Sequence, residues 1–132
     1  MRILGIGTDI TEISRIEKMS EKHKEHFLER VYTETELTYS RSGKQSGEHL
    51  AGRWAAKEAV LKALGTGWTS GITWKDVEVC NEISGKPSIR LSGGAKSIAD
   101  SLGATKVLIS ISHSGNSAIA FAILIQEESH EK

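Results

Sequence analysis

The chain has one cysteine, no excess charge of either sign and no long apolar run. The lone Cys80 excludes an internal disulfide. With no His nearby and no Cys-x-x-Cys spacing, it reads as a packed strand residue and not as a nucleophile. Seventeen Lys and Arg balance seventeen Asp and Glu. The field of the whole molecule therefore attracts neither nucleic acid nor an anionic membrane, and a charged partner has to be sought in local patches. No apolar stretch approaches the roughly 20 residues that cross a bilayer. Met1-Arg2-Ile3-Leu4 lacks the features of a signal peptide, so a cytoplasmic location is expected. A dinucleotide loop is also missing: Ile10 stands where Gly5-x-Gly7 would need its third glycine.

What remains is the composition of a globular protein, 38% hydrophobic and 26% charged over 132 residues, enough for one domain with a real core. That domain is expected to span 1–126, with 127–132 as a polar tail. Ile3 to Ile10 reads as a strand whose glycines allow close approach, with Asp9 at its far end. From Ile13 to Val31 an apolar residue, or His23, recurs every three or four positions, which predicts one amphipathic helix. Its polar side is sorted. Arg15, Lys18, Lys22, His26 and Arg30 form one stripe, Glu17, Glu21, Glu25 and Glu29 another, and Met19 borders the apolar and basic faces. Alone, this is a solvated helix laced by Glu–Lys pairs; the alternative is a docking surface for an acidic partner.

Thr33-x-x-Glu36 has the spacing of a capping box and predicts a short helix to about Ser40, followed by a loop over Ser42 to Gly47. The longest helical pattern runs from Glu48 to Leu64 and stops at Gly65. Glu58 and Lys62 share a face of it, and Ala51 and Ala55 continue the stripe. This is either an exposed Glu–Lys pair or a face whose small residues admit a close neighbour. Lys75–Cys80 and Pro87–Leu91 alternate as a hairpin around Ser84-Gly85-Lys86. Ser92-Gly93-Gly94 starts a helix that Gly103 ends, and Lys106–His113 with Ala118–Ile125 make a second hairpin. The order β-α-α-α-β-β-α-β-β, with strands paired as hairpins, predicts an α+β fold.

Three pieces place polar groups where packing does not ask for them: Gly7-Thr8-Asp9, the helix from Trp54 to Lys62, and Ser110-Ile111-Ser112-His113. In the same order stand Ser14-Arg15-Ile16, Arg30-Val31-Tyr32-Thr33 with Glu36, Gly52-Arg53-Trp54-Ala55-Ala56-Lys57-Glu58-Ala59, Lys62-Ala63-Leu64-Gly65-Thr66-Gly67, and Gly85-Lys86-Pro87. Together they resemble the signature of the phosphopantetheinyl transferases, most closely the small, single-domain holo-acyl-carrier-protein synthase type, over nearly the whole chain. The resemblance implies transfer of the 4′-phosphopantetheine arm of coenzyme A to a serine of an apo acyl carrier protein, with release of adenosine 3′,5′-bisphosphate. It also implies a place in fatty acid biosynthesis and a homotrimer with active sites between subunits.

By the same resemblance Asp9 and Glu58 are ligands of Mg²⁺, and their hard oxygens would also accept Mn²⁺. With Lys62, one turn beyond Glu58, they form the catalytic set that spreads the charge of pyrophosphate cleavage. Ser112 and His113 resemble contacts to the coenzyme's nucleotide and phosphate end. Arg53 and Lys44 are candidates for the 3′-phosphate, and Lys57 and Gly65 for further coenzyme contacts. Arg15, Lys18, Met19, Lys22, His26 and Arg30 become the surface for the carrier protein's acidic helix. A Ser–His hydrolase is set aside because no Gly-x-Ser-x-Gly elbow is present and adjacent strand residues face opposite ways. An alternative is a Mg²⁺-dependent pyrophosphohydrolase of coenzyme A or nucleotides, which would use the same three residues and need no basic stripe. A non-catalytic binding module would not need the two carboxylates.

Overall fold

The computed structural model describes residues 1–22, 24–41, 46–69 and 71–128. Strand β1 (Arg2–Glu12) leads into α1 (Ile13–Lys22), α2 (Lys24–Val31), α3 (Glu34–Arg41) and the long α4 (Ser46–Leu64). A 3-10 turn at Trp74–Asp76 precedes β2 (Val77–Asn81) and β3 (Pro87–Leu91), and α5 (Gly93–Leu102), β4 (Lys106–Ser114) and β5 (Ser117–Gln126) complete the chain. The sheet is antiparallel in the order β1-β5-β4, and β2 and β3 form a separate hairpin. This is the expected α+β arrangement. Helical residues occupy the periodic stretch on both sides of position 23, and Ile13 and Ile16 of α1 and Phe27 and Val31 of α2 all join one cluster with Trp54. His23, between them, lies outside the described residues.

The capping box is present as expected. The Thr33 backbone N–H donates to Glu36 Oε1 at 2.8 Å, and the Glu36 N–H donates to Thr33 Oγ1 at 3.3 Å. Across the chain, Asn116 in the β4–β5 turn holds the start of α1, accepting the Ile13 N–H on its backbone oxygen (2.8 Å) and the Ser14 N–H on its side chain (2.9 Å).

Nearly every residue of α4 from Leu50 onward is buried, because the sheet, α3, α5 and β2 all pack against it. A helix so apolar around its circumference belongs inside. It approaches β1 backbone to backbone. A Cβ added at Gly5 would stand 2.0 Å from the Ala63 oxygen, and one at Gly7 2.0 Å from the Ala59 oxygen. Here the absence of a side chain is what the close approach requires. The alternation of β5 puts Ala118, Ala120, Ala122 and Leu124 on this inner face, all fully buried. Ala51 and Ala55 are fully buried as well, clustered with Ala118 and with Ala120 and Ala122 respectively. The clearance they offer is therefore taken up by the protein's own sheet and not by a ligand. On the outer face the same alternation exposes Ile6, Ile10, Ile119 and Phe121.

Candidate active site

Asp9 lies on the inner, α4-facing side of β1, and Lys62 reaches it from the last turn of α4. Lys62 Nζ stands 3.3 Å from Asp9 Oδ1 and donates to the Thr8 carbonyl at 2.9 Å. The other Asp9 oxygen accepts a 2.6 Å hydrogen bond from the Thr11 hydroxyl. Glu58, one turn before Lys62, is half-buried on the same flank and accepts a hydrogen bond from the Trp68 indole at 3.3 Å. Helix and strand thus bring Asp9, Glu58 and Lys62 to one side of the molecule, because Gly5 and Gly7 let α4 lie directly on β1. Among the described residues no cluster of three or more His, Cys, Asp or Glu could hold a metal. Two carboxylates nevertheless suit a hard cation such as Mg²⁺, which commonly takes one or two protein carboxylates and fills its other positions with water and substrate phosphates. Gly65, with φ +82°, ends α4 beside this set, and nothing lies within 4 Å of where its Cβ would be. Its exposed backbone leaves room for a phosphate to come close.

Lys57 corrects the sequence reading. It was expected on an exposed helix face, as a coenzyme contact. Instead it is fully buried and paired with an equally buried Glu36 at 2.9 Å, and it also donates to the backbone oxygens of Trp74 and Val77. The reason is angular: successive helix residues are about 100° apart, so Lys57 faces α3 and β2 while Glu58 faces Trp68. All its donors are engaged, and burial pulls its pKa down against the opposing effect of Glu36. Lys57 is a structural cation and offers nothing to a phosphate. Arg53, one turn earlier, shares that direction. Its guanidinium lies 3.8 Å from the centre of the Tyr39 ring and donates to Asn81 Oδ1, while its buried Nε has no hydrogen-bond partner among the described residues.

Ser112 and His113 occupy the end of β4, on the other side of α4. His113 points to the inner face, with Nε2 at 3.4 Å from Glu48 Oε2, whereas Ser112 shares the outer face with its cross-strand partner Ile119. Beside them His49 packs on Tyr39, with ring centres 4.7 Å apart, and burial, with Arg53 nearby, lowers its pKa. Lys44 lies outside the described residues. The expected site residues therefore fall into two groups. Asp9, Glu58, Lys62 and Gly65 gather toward the C-terminal end of α4, while Arg53 and His113 lie toward its N-terminal half. Glu48 and Lys62 are about 21 Å apart along the helix axis.

The basic stripe runs along α1 and α2. Arg15, Lys18 and Lys22 on α1 and His26 and Arg30 on α2 are all exposed, and Met19 is half-buried. The stripe borders an open cleft of about 1100 Å³ whose lining includes Met19, Phe27, Arg30, Trp54, Trp68 and Trp74. A basic rim beside an apolar floor suits an acidic, amphipathic partner.

Two residues escaped the sequence reading. Glu36 stands in the sequence reading as a capping residue and as part of the signature, with no buried partner foreseen, although its second oxygen takes the Val79 N–H at 2.7 Å and its first takes Lys57. An acid three residues after a Thr gives no hint of a lysine twenty-one positions on. Trp68, in a polar glycine-containing segment, carried no periodic signal at all.

Comparisons with known proteins show what the whole chain is similar to. The sequence profile of the 4′-phosphopantetheinyl transferase superfamily matches residues 5–122. The chain is 48% identical over 120 residues to the holo-[acyl-carrier-protein] synthase of Protochlamydia amoebophila, covering 91% of this chain and 96% of that protein. The crystal structure of the holo-[acyl-carrier-protein] synthase of Neisseria meningitidis superposes with a TM-score of 0.85 at 31% identity, covering 95% of this chain and 100% of that one. The Helicobacter pylori holo-[acyl-carrier-protein] synthase in complex with coenzyme A superposes with a TM-score of 0.81 at 32% identity, over 91% of this chain and 99% of that one.

Proposed function

Since the chain belongs to the 4′-phosphopantetheinyl transferase superfamily, we propose that it moves the 4′-phosphopantetheine arm of coenzyme A onto a serine hydroxyl of an apo acyl carrier protein. The serine oxygen bonds to the phosphorus that carries pantetheine, the bond from that phosphorus to the bridging oxygen breaks, and adenosine 3′,5′-bisphosphate leaves. The observation that carries this reading is the convergence of Asp9, Glu58 and Lys62 beside the basic helices α1 and α2. A divalent cation held by Asp9 and Glu58 would neutralise charge on the pyrophosphate oxygens. Lys62, exposed and one turn from Glu58, supplies a further positive charge to the leaving phosphate. Loose phosphoryl transfer depends more on position and electrostatics than on a strong base, which fits a set made of two carboxylates and a lysine. The basic stripe favours the transferase over a pyrophosphohydrolase, because water needs no docking surface.

The division of the site residues supports a further element of the reading. Glu48, which His113 meets, stands about 15 Å along the helix from Glu58, and Arg53 is turned about 140° around the axis from Glu58. In coenzyme A only a ribose and its 5′-oxygen separate the pyrophosphate from the 3′-phosphate, too short a span to join His113 to Glu58. The Arg53 and His113 group of one chain therefore completes the Asp9 and Glu58 group of another. The surface for such an assembly is the outer sheet face, where Ile6 and Ile10 are 62% and 67% exposed and Ile119 and Phe121 41% and 42%. Contiguous apolar exposure of this kind marks an association surface. Sedimentation at low micromolar concentration is expected to find three chains together; a single-chain species would sink this part.

The decisive experiment is mass spectrometry of an apo carrier protein incubated with coenzyme A, Mg²⁺ and this protein. A gain equal to phosphopantetheine is expected. Consumption of coenzyme A without any gain on the carrier would establish the hydrolase instead.

A further inference from the structure

All three tryptophans of the chain stand in one stack that ends on Glu58. The Trp54 and Trp74 ring centres are 4.3 Å apart, and those of Trp74 and Trp68 3.8 Å. The Trp68 indole N–H then meets Glu58 Oε1 at 3.3 Å. At the other end Phe27 stacks on Trp54 at 5.8 Å, and the Arg15 guanidinium lies 5.7 Å from the Trp54 ring centre. Trp68 itself is 36% exposed, and its ring rests on Trp74. Through the stack the indole is aimed at a carboxylate. Among the described residues it makes the one hydrogen bond Glu58 receives. An indole N–H donates and cannot accept, so it leaves the remaining acceptor positions of the carboxylate free.

We infer that Trp68 is a positioning residue for Glu58: its indole N–H holds the carboxylate in the orientation that receives a hard divalent cation, and the Trp54–Trp74–Trp68 stack holds the indole. The inference rests on the reading of Glu58 as a cation ligand. Hydrogen bonds behind a ligand fix its orientation, and their removal commonly weakens metal binding by 10–100-fold. For a long, partly exposed bond the lower end, about tenfold, is expected.

The test is a titration of free Mn²⁺ by electron paramagnetic resonance against wild type, Trp68→Phe and Glu58→Gln, with thermal melting of each. Trp68→Phe keeps an aromatic ring for the stack and removes the N–H along with part of the ring area. A roughly tenfold weaker Mn²⁺ affinity in Trp68→Phe with a near-wild-type melting temperature supports the inference. Unchanged affinity in Trp68→Phe, with affinity lost in Glu58→Gln, overturns it and leaves the role of Glu58 standing. Equal affinity in wild type and Glu58→Gln overturns both. Should Trp68→Phe loosen the stack, Trp68→3-benzothienylalanine serves as the comparison. It keeps the fused ring for the stack and lacks the N–H, so wild-type Mn²⁺ affinity in that variant would assign the effect to packing and sink the inference.

Discussion

Lys57 and Lys62 are the same residue type, five positions apart on one helix, and they meet opposite environments. The Lys57 side chain is 0% exposed and that of Lys62 53%. Each pairs with a carboxylate, Lys57 with Glu36 at 2.9 Å and Lys62 with Asp9 at 3.3 Å. The buried pair is further tied by the Val79 and Thr33 N–H groups on Glu36 and by two backbone oxygens on Lys57, so every donor and most acceptors are satisfied. The open pair leaves charge facing solvent, where a phosphate can reach it. One helix thus carries a buried, fully engaged cation on its inner flank and an open one on its outer flank, and a rotation of about 140° separates them.

The largest expected effect breaks the buried side. Lys57→Met leaves Glu36 buried without its countercharge and should cost about 3–5 kcal/mol in stability, read by denaturant melts. Adding Glu36→Leu should recover part of that loss, because an unpaired buried charge costs more than an apolar pair. Recovery will stay incomplete, since the Thr33 and Val79 N–H groups lose their acceptor. The pH dependence follows from the sign of the shift. Burial holds the folded pKa of Lys57 below its unfolded value, so the folded protein binds fewer protons in the interval between the two. Stability from this group therefore rises as pH climbs from the folded pKa toward the ordinary lysine value, and Lys57→Met should flatten that rise.

On the open side the expectation reverses. Lys62→Met should lower turnover by about 10²-fold, the typical loss for one electrostatic group at a developing charge, with a stability change below about 1 kcal/mol, as for other exposed ion pairs. A melting temperature that falls as far as that of Lys57→Met would erase the contrast between the flanks. Asp9→Ala and Glu58→Ala belong with Lys62: activity lost, only partly restored by extra Mg²⁺, and fold retained. Full activity in excess chelator would remove the cation from the proposal.

Ala55 sharpens the contrast from the inner side. With Ala55 fully buried under the sheet, Ala55→Leu should cost about 1–3 kcal/mol by overpacking. Coenzyme affinity per folded molecule, measured calorimetrically, should stay near that of wild type. A selective loss of coenzyme binding at unchanged stability would show that Ala55 provides clearance for a ligand.

What could be read from the sequence divides along the same line. Local patterns were legible: the capping box at Thr33 and Glu36, the stop at Gly65 and both hairpins are set by residues within a few positions of one another. The glycines of β1 announced a close neighbour, and the motif order identified Asp9 and Glu58 as a pair to watch. Lys57 was misread because its environment is built by Glu36, Trp74 and Val77, three separate pieces of chain that no periodicity links. Ala51 and Ala55 were legible only in part: a small residue signals close approach, but the sequence does not say by what. Trp68 was invisible because its role depends on two other tryptophans and on Glu58, ten residues away.

The smallest expected effect concerns the basic stripe, which lies beyond both lysines on α1 and α2. Arg15→Glu or Lys22→Glu reverses an exposed charge that touches neither Asp9 nor Glu58, so the coenzyme's KM should stay nearly constant. The KM for carrier protein should rise several-fold and depend more weakly on salt, because rim charges act through encounter and register more than through buried contacts. Arg15 carries a second contact, its guanidinium near Trp54, and Lys22 has no such contact with the stack. If the stripe acts by charge alone the two variants will match. A larger effect at Arg15 would mean that the aromatic stack transmits docking toward Glu58. Equal rises in KM for carrier and coenzyme in both variants would deny the stripe any partner of its own.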